Sequence, residues 1–361
     1  MTTTELPCKL AMVTLNTAVD EHIRYGRPVA GGGGINNWRA ALTLAKAFDV
    51  GGAVIGCGFV GAADLDTPVF RGLTLHNQRP ILLPCSSGTG QTRRNYIVFD
   101  EHGRETTRFG SGGYEVRDSD LELLTSTVLE HHPTEIVLSG SLPKGAERYY
   151  VDIIELMEAQ DTDVEFDIDT RGEIMKSVLD ALKAKRGGSA EGIRLKAKMN
   201  LEEFNALGET NLEPTDPAGL LSQCGAILPD GTVVCSLGRD NGIFVREPSS
   251  RAYQVRLPHP PFIRFKTSNG CGDTLFGCIA LALAFGGDLL TAVKWGIACA
   301  TAQVENFTPG LFSLRTARRL KDGGYIQVVE VNLPRPTSRP GPSMHYAGPG
   351  RCPNLVIRPA L

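Results

Sequence analysis

Asn269-Gly270-Cys271-Gly272-Asp273 runs directly into an apolar helical stretch, Thr274 to Phe285, and the reading of that junction decides the rest of the chain. Small residues before a helix let several backbone N–H groups converge, and first-turn donors have no intrahelical partner. The helix dipole adds about half a positive charge there, so the turn suits a phosphate or an oxyanion. A carboxylate in the same place is near enough to take a proton from an attacking hydroxyl. Together these are what phosphoryl transfer to an alcohol requires. Taken alone, the five residues read equally well as a plain cap on a tight turn, with Asp273 as the capping side chain.

The bulk of the chain narrows the choice. With 361 residues, 42% hydrophobic and 21% charged, it has room for a sizeable core in one large α/β domain or two ordinary ones. A net charge of −3 leaves no basic stripe and argues against nucleic acid as the main partner. The nine cysteines include no C-x-x-C pair, which suits a reducing cytoplasm better than a disulfide framework. Leu275 to Phe285 is too short to cross a bilayer, and Met1 to Leu15 lacks the layout of a secretion signal. The expectation is a cytoplasmic protein away from membranes.

Working outward, short β-branched or apolar runs alternate with helical patterns. Strands are expected at Leu10–Asn16, Ala53–Gly56, Pro80–Leu83, Glu135–Ser139, Val164–Ile168, Ile193–Ala197 and Thr232–Ser236. Helices are expected at Ile35–Phe48, Ser119–His131, Ala146–Ala159, Gly172–Ala184, Pro217–Cys224, Asp273–Phe285 and Leu289–Val304. This interleaving indicates a mostly parallel sheet covered on both faces, with ligands outside the carboxyl ends of the strands. Two segments break the pattern. Asn95–Asp100 and Glu105–Phe109 form a hairpin that should project as a lid over about 92–112. The Pro-, Arg- and Gly-rich tail from Pro334 to Leu361 has no periodicity and should be flexible or draped over the surface. The expected division is a domain over 1–330 and a tail over 331–361.

Several constellations could carry chemistry, each beside a plainer reading. Asp20 ends the first strand's Thr14-Leu15-Asn16 segment, where an acid holds hydroxyls or only tightens a turn. Gly31-Gly32-Gly33-Gly34-Ile35-Asn36 opens a helix and lets backbone approach a ligand closely. Thr92-Arg93-Arg94-Asn95 at the lid's root suits a phosphate clamp or a solvated face. Ser139-Gly140-Ser141 follows a strand, and Ser236-Leu237-Gly238 ends another. Asn200 and Glu203 share the first turn of a helix, where they suit a hydrated Mg²⁺ or form a capping box. Gly56-Cys57-Gly58-Phe59-Val60-Gly61 matches G-x-G-x-x-G, which makes an NAD-dependent oxidoreductase the rival from another class. The acid which that fingerprint wants about 20 residues on is missing at Ile81–Cys85.

In order, these pieces resemble the ribokinase-type sugar kinases of the PfkB family, closest to the phosphofructokinase and tagatose-phosphate kinase branch, from about Lys9 to Leu320. Further matching residues are Asp169-Thr170-Arg171-Gly172 and Lys198-Met199-Asn200. The resemblance implies a three-layer α/β fold: a mostly parallel central sheet, helices on both faces and a small β lid. It implies an ATP-dependent kinase with Mg²⁺, acting on a primary hydroxyl of a hexose phosphate of the fructose 6-phosphate, fructose 1-phosphate or tagatose 6-phosphate type. A kinase of an unphosphorylated sugar or nucleoside, and a non-catalytic sugar-sensing relative, are the readings beside it; Asp273 favours an enzyme. By motif, Asp273 is the base, and the amides of Gly270, Cys271 and Gly272 form the anion hole. Lys198, Ser236 and Gly238 lie along the ATP with Gly270 and Gly272. Asn200 and Glu203 hold Mg²⁺ through water. Asp20, Gly32, Gly33 and Asn36 meet the sugar, and Arg93 and Ser139 its phosphate. The partner implied is a small-molecule sugar or sugar phosphate, and the assembly a homodimer joined at the lid. This chain departs from the pattern in four places. Cys271 stands where alanine is usual, and Met199 replaces a proline. Asn37-Trp38 replace two small residues. Only ten residues separate Asp20 from Gly31, about a dozen fewer than in relatives, which leaves Arg24 or Arg27 to supply the lid's basic contact.

Overall fold

The computed structural model describes residues 8–23, 28–100, 105–160, 162–189, 195–238, 242–248, 251–258, 260–331 and 358–359. An eleven-stranded sheet forms the middle layer. From one edge it runs through Ile81–Cys85, Val54–Gly61, Leu10–Thr14, Glu135–Ser139, Glu165–Asp169, Leu195–Asn200 and Thr232–Ser236, all parallel. Ile243–Arg246, Ala252–Arg256, Gln327–Val331 and Arg358–Pro359 follow, antiparallel to their neighbours.

Successive side chains on a strand point to opposite faces, and the central strands use this to feed two cores. Ala11 and Val13 pack with the helices Tyr149–Ala159 and Gly172–Lys185. Leu10 and Met12 pack with Gly33–Phe48, Cys271–Ala284 and Leu289–Gln303 on the other side. A strand buried on both faces reads as a continuous apolar run, as LAMVT does. The interleaved strands and helices expected from the sequence are therefore present, with helices on both faces.

The differences have physical causes. The strand expected at Ala53–Gly56 extends to Gly61, so the G-x-G-x-x-G run is strand interior and not a strand-to-helix turn. Its glycines serve packing: a Cβ on Gly56 would come within 2.8 Å of the Trp38 ring, and one on Gly58 within 2.2 Å of the Thr14 carbonyl. The dinucleotide reading fails on that geometry. The first strand ends at Thr14, and Asp20 sits inside a separate strand, Ala18–Ile23. That strand pairs with Val29–Gly31, with Arg93–Phe99 and, through it, with Glu105–Gly110, forming a four-stranded lid sheet. The lid hairpin is thus present with two strands added; its connection 101–104, and Arg24 and Arg27, lie outside the described residues. The strand expected from Ile193 is described from Leu195. Most of the tail lies outside the described residues as well; Arg358–Pro359 pairs with Val329 and Glu330. Among the described residues no helix is long and apolar enough to cross a membrane, and the eight described cysteines are free.

Candidate active site

Strand register brings the chemistry to one edge. Ser139 is opposite Asp169, Asp169 opposite Lys198, and Asn200 opposite Ser236, all at carboxyl ends. The Cys271–Ala284 helix begins over this edge. Its N-cap is Gly270, with φ 77°, where a Cβ would lie 2.3 Å from Pro309, so backbone and space both require glycine. The three expected anion-hole amides are not equivalent. Cys271 N–H donates to the Ser268 carbonyl at 3.2 Å, whereas no such bond occupies the Gly270 and Gly272 amides among the described residues.

Asp273 stands in the first turn of that helix, half-buried beside the cavity that Cys271 and Gly272 line. Burial, and then the negative charge of Asp169, push its carboxyl up to about 7, against the pull of Lys198, Asn36 and Arg108 toward the ionised form. A carboxylate titrating near neutrality is matched to a proton-accepting task. Asn36 Nδ2 donates to its Oδ2 at 2.7 Å. Lys198, 12% exposed, is held 2.9 Å from Asp169. Its Nζ lies 2.9 Å from where a Cβ of Gly272 would be, so the missing side chain is what lets an ammonium approach the helix start.

The glycine loop packs directly on the strand ends. A Cβ on Gly33 would come 2.7 Å from Ser139 Oγ, and Gly32 is the buried N-cap of the Gly33–Phe48 helix. Ser139 is fully buried under this loop, accepting a hydrogen bond from Asn37 Nδ2 at 2.7 Å. That placement makes it a support for the loop, while Gly140 and Ser141 are the more open groups beside it. Asn37 also reaches Asp169 Oδ2 at 3.3 Å. The two bulky departures after the loop therefore have uses: Asn37 ties three elements together, and Trp38 fills the space over Gly56.

On the lid side, Asp20 is buried and accepts from Asn95 Nδ2 at 2.7 Å. Arg93 donates to the Asn16 carbonyl at 3.2 Å and to Asn95 Oδ1 at 3.4 Å. Burial lowers its pKa, Asp20 opposes that, and the neighbouring charges of Arg171 and Arg108 add to it. Arg108, which the sequence reading passed over, reaches from the lid to Asn269 Oδ1 at 2.7 Å and so touches the anion turn. Its only sequence signal is a place on the second strand of the expected lid hairpin.

A cavity of about 830 Å³ opens along the same edge. Ser236, Gly238, Cys271 and Gly272 line it with apolar Ile263, Leu275 and Ile297, and Glu105 reaches it from the lid. Asn200 and Glu203 form a full capping box: Glu203 N–H donates to Asn200 Oδ1 at 2.8 Å, and Asn200 N–H to Glu203 Oε2 at 2.9 Å. Among the described residues no group of three His, Cys, Asp or Glu side chains forms a direct metal cage.

Comparison with known proteins identifies the fold and the family. ATP-dependent 6-phosphofructokinase isozyme 2 of Escherichia coli (strain K12) is 29% identical over 307 residues, 82% of this chain and 89% of that protein. The solved structure of Escherichia coli phosphofructokinase-2 in complex with potassium superposes with a TM-score of 0.68 at 23% identity, covering 88% of this chain and 99% of that one. A Thermotoga maritima protein described as a possible 1-phosphofructokinase gives 0.68 at 18% identity, over 90% and 100%. These likenesses carry the ribokinase-like three-layer fold. A model of the pfkB family carbohydrate kinases matches residues 10–316, which take in the glycine loop, the lid, Lys198 and the Asp273 turn, and the chain belongs to that family.

Proposed function

We propose that the chain transfers the γ-phosphoryl group of ATP to a primary hydroxyl of a hexose phosphate of the fructose 6-phosphate, fructose 1-phosphate or tagatose 6-phosphate type. The observation that carries this is Asp273: a carboxyl near neutral pKa, at a helix start with unpaired amides, beside Lys198 and an open cavity. Asp273 accepts the acceptor's proton as its oxygen bonds to the γ-phosphorus and the bond to the leaving nucleoside diphosphate breaks. The amides of Gly270 and Gly272 and the Lys198 ammonium face the charge on the moving group. The apolar cavity wall beside Ser236 and Gly238 suits the nucleotide.

Asn200 and Glu203 supply hard oxygen donors of the kind that bind Mg²⁺ through water, and Glu203 is close enough for its charge to act on Lys198. Bound there, the ion would offset phosphate charge. An already phosphorylated acceptor is supported by Arg93, which has no ion-pair partner among the described residues and lies within the field of Arg108 and Arg171. A half-buried guanidinium without a carboxylate partner favours an anionic group such as a phosphate. A homodimer joined at the lids is supported by exposed Ile23 and Phe109; sedimentation showing monomer alone would remove it. The cytosol as the place of work fits the free cysteines.

Turnover with fructose 6-phosphate, free fructose, ribose and a nucleoside, each with Mg-ATP, tests the assignment. Preference for the sugar phosphate is expected; preference for an unphosphorylated acceptor would overturn it.

A further inference from the structure

Arg39 is an unusual cation. It is only 5% exposed, and no carboxylate lies within ion-pair distance of it among the described residues; Asp20 acts on it only through its charge. A guanidinium buried in this way costs stability unless its donors are used. One use is clear: Arg39 Nη1 donates to Asn36 Oδ1 at 3.2 Å, one helical turn back. An amide whose oxygen is held must present its NH₂ on the other side. There Asn36 Nδ2 donates to Asp273 Oδ2 at 2.7 Å. Packing holds the arginine in place, since a Cβ on Gly310 would come 2.7 Å from the Arg39 Cβ, and Thr43 Oγ1 donates to its carbonyl at 2.7 Å.

We propose that Arg39 is a positioning residue for the phosphotransfer read above: by fixing the orientation of the Asn36 amide, it pins one oxygen of Asp273 and directs the other at the acceptor hydroxyl. Without Arg39 the Asn36 amide can turn over and present its oxygen to the carboxylate. Asp273 is then both misplaced and repelled. The other charged groups facing Asp273 are Asp169, Lys198 and Arg108, from two strands and the lid, and they are untouched by a change at Arg39.

The test compares the parent with Arg39→Met and Arg39→Lys in the full chain, using Mg-ATP and fructose 6-phosphate across a pH series. Arg39→Met is expected to lower kcat by about 10- to 100-fold, as misplacement of a reacting group does, with the KM for ATP little changed. Donation from Asn36 favours the carboxylate form, so its loss should move the acid limb of kcat/KM to higher pH. Arg39→Lys can still donate to Asn36 and should keep more of kcat than Arg39→Met. If Arg39→Met does not fold, Arg39→Ala, which also removes the donor to Asn36, is read in its place by the same fall in kcat and the same move of the acid limb. Parent kcat and an unmoved acid limb overturn the proposal, whatever the change in Tm. Asp273→Asn is the control: if it turns over normally, the phosphotransfer reading itself has failed. If it is inactive while Arg39→Met is normal, only the role of Arg39 has failed.

Discussion

Lys196 and Lys198 lie on the same face of one strand, and each looks across at a carboxylate on the neighbouring strand, Asp167 and Asp169. Lys196 is 13% exposed and sits 3.0 Å from Asp167, 3.5 Å from Glu135 and 2.5 Å from Glu165. Lys198 sits 2.9 Å from Asp169 and faces the helix start at Gly272. In both clusters a carboxyl is pushed upward mainly by burial: Glu135 in the first, Asp273 in the second. What separates them is the neighbour each lysine faces. Lys198 Nζ approaches the helix start at Gly272, which lines the cavity at the carboxyl ends of the strands, whereas Asp167, opposite Lys196, is fully buried inside the sheet. On the proposed function, the same side chains serve cohesion in one place and chemistry two residues further along.

Replacing each lysine by methionine separates the two roles. Lys198→Met should lower kcat by about 10² to 10³, the usual cost of a donor facing transition-state charge, with Asn37 still holding Asp169. Lys196→Met should leave kcat of the folded protein close to the parent and reduce unfolding stability by about 3 to 5 kcal/mol, because it strands buried carboxylates. Chemical denaturation beside steady-state kinetics reads both. A stable, inactive Lys196→Met would break the comparison.

Glu135→Gln is a smaller and sharper probe. The Glu135 carboxyl is held well above the ordinary carboxylate value by burial and then by Asp167. Folding therefore favours its protonated form, and that contribution is full below the ordinary carboxylate pKa and lost as pH rises through the elevated value. Glutamine imitates the protonated acid, so the variant should lose this part of the fall in Tm with rising pH. A Tm profile parallel to the parent's would place the strain elsewhere in the cluster.

How much of this was written in the order of residues depends on range. The Glu135–Ser139 and Thr232–Ser236 strands are read without error because buried parallel strands are compact apolar runs bounded by turn residues. The Asp273 turn was legible because small residues, an acid and a helix start are contiguous. Asp20 belongs to a second strand and not to the first, because only three residues separate Thr14 from Ala18 and AVDEHI mixes apolar with charged residues, so no turn signal marks the break. Leu314–Asp322 was missed because its apolar positions are few among basic ones. The Arg39–Asn36–Asp273 relay was invisible: it joins elements 237 residues apart, and only the packed fold brings them within hydrogen-bond reach. The packing role of the Gly56–Gly61 glycines was hidden for the same reason, as it is set by Trp38 and Thr14 from other elements.

Everything here turns on Asp273 as the proton acceptor, and the turnover of Asp273→Asn with Mg-ATP and fructose 6-phosphate tests it most directly. A loss of kcat of about 10² to 10⁴, the scale of general-base action, is expected with folding unchanged. Near-parent kcat in a folded Asp273→Asn protein would contradict it.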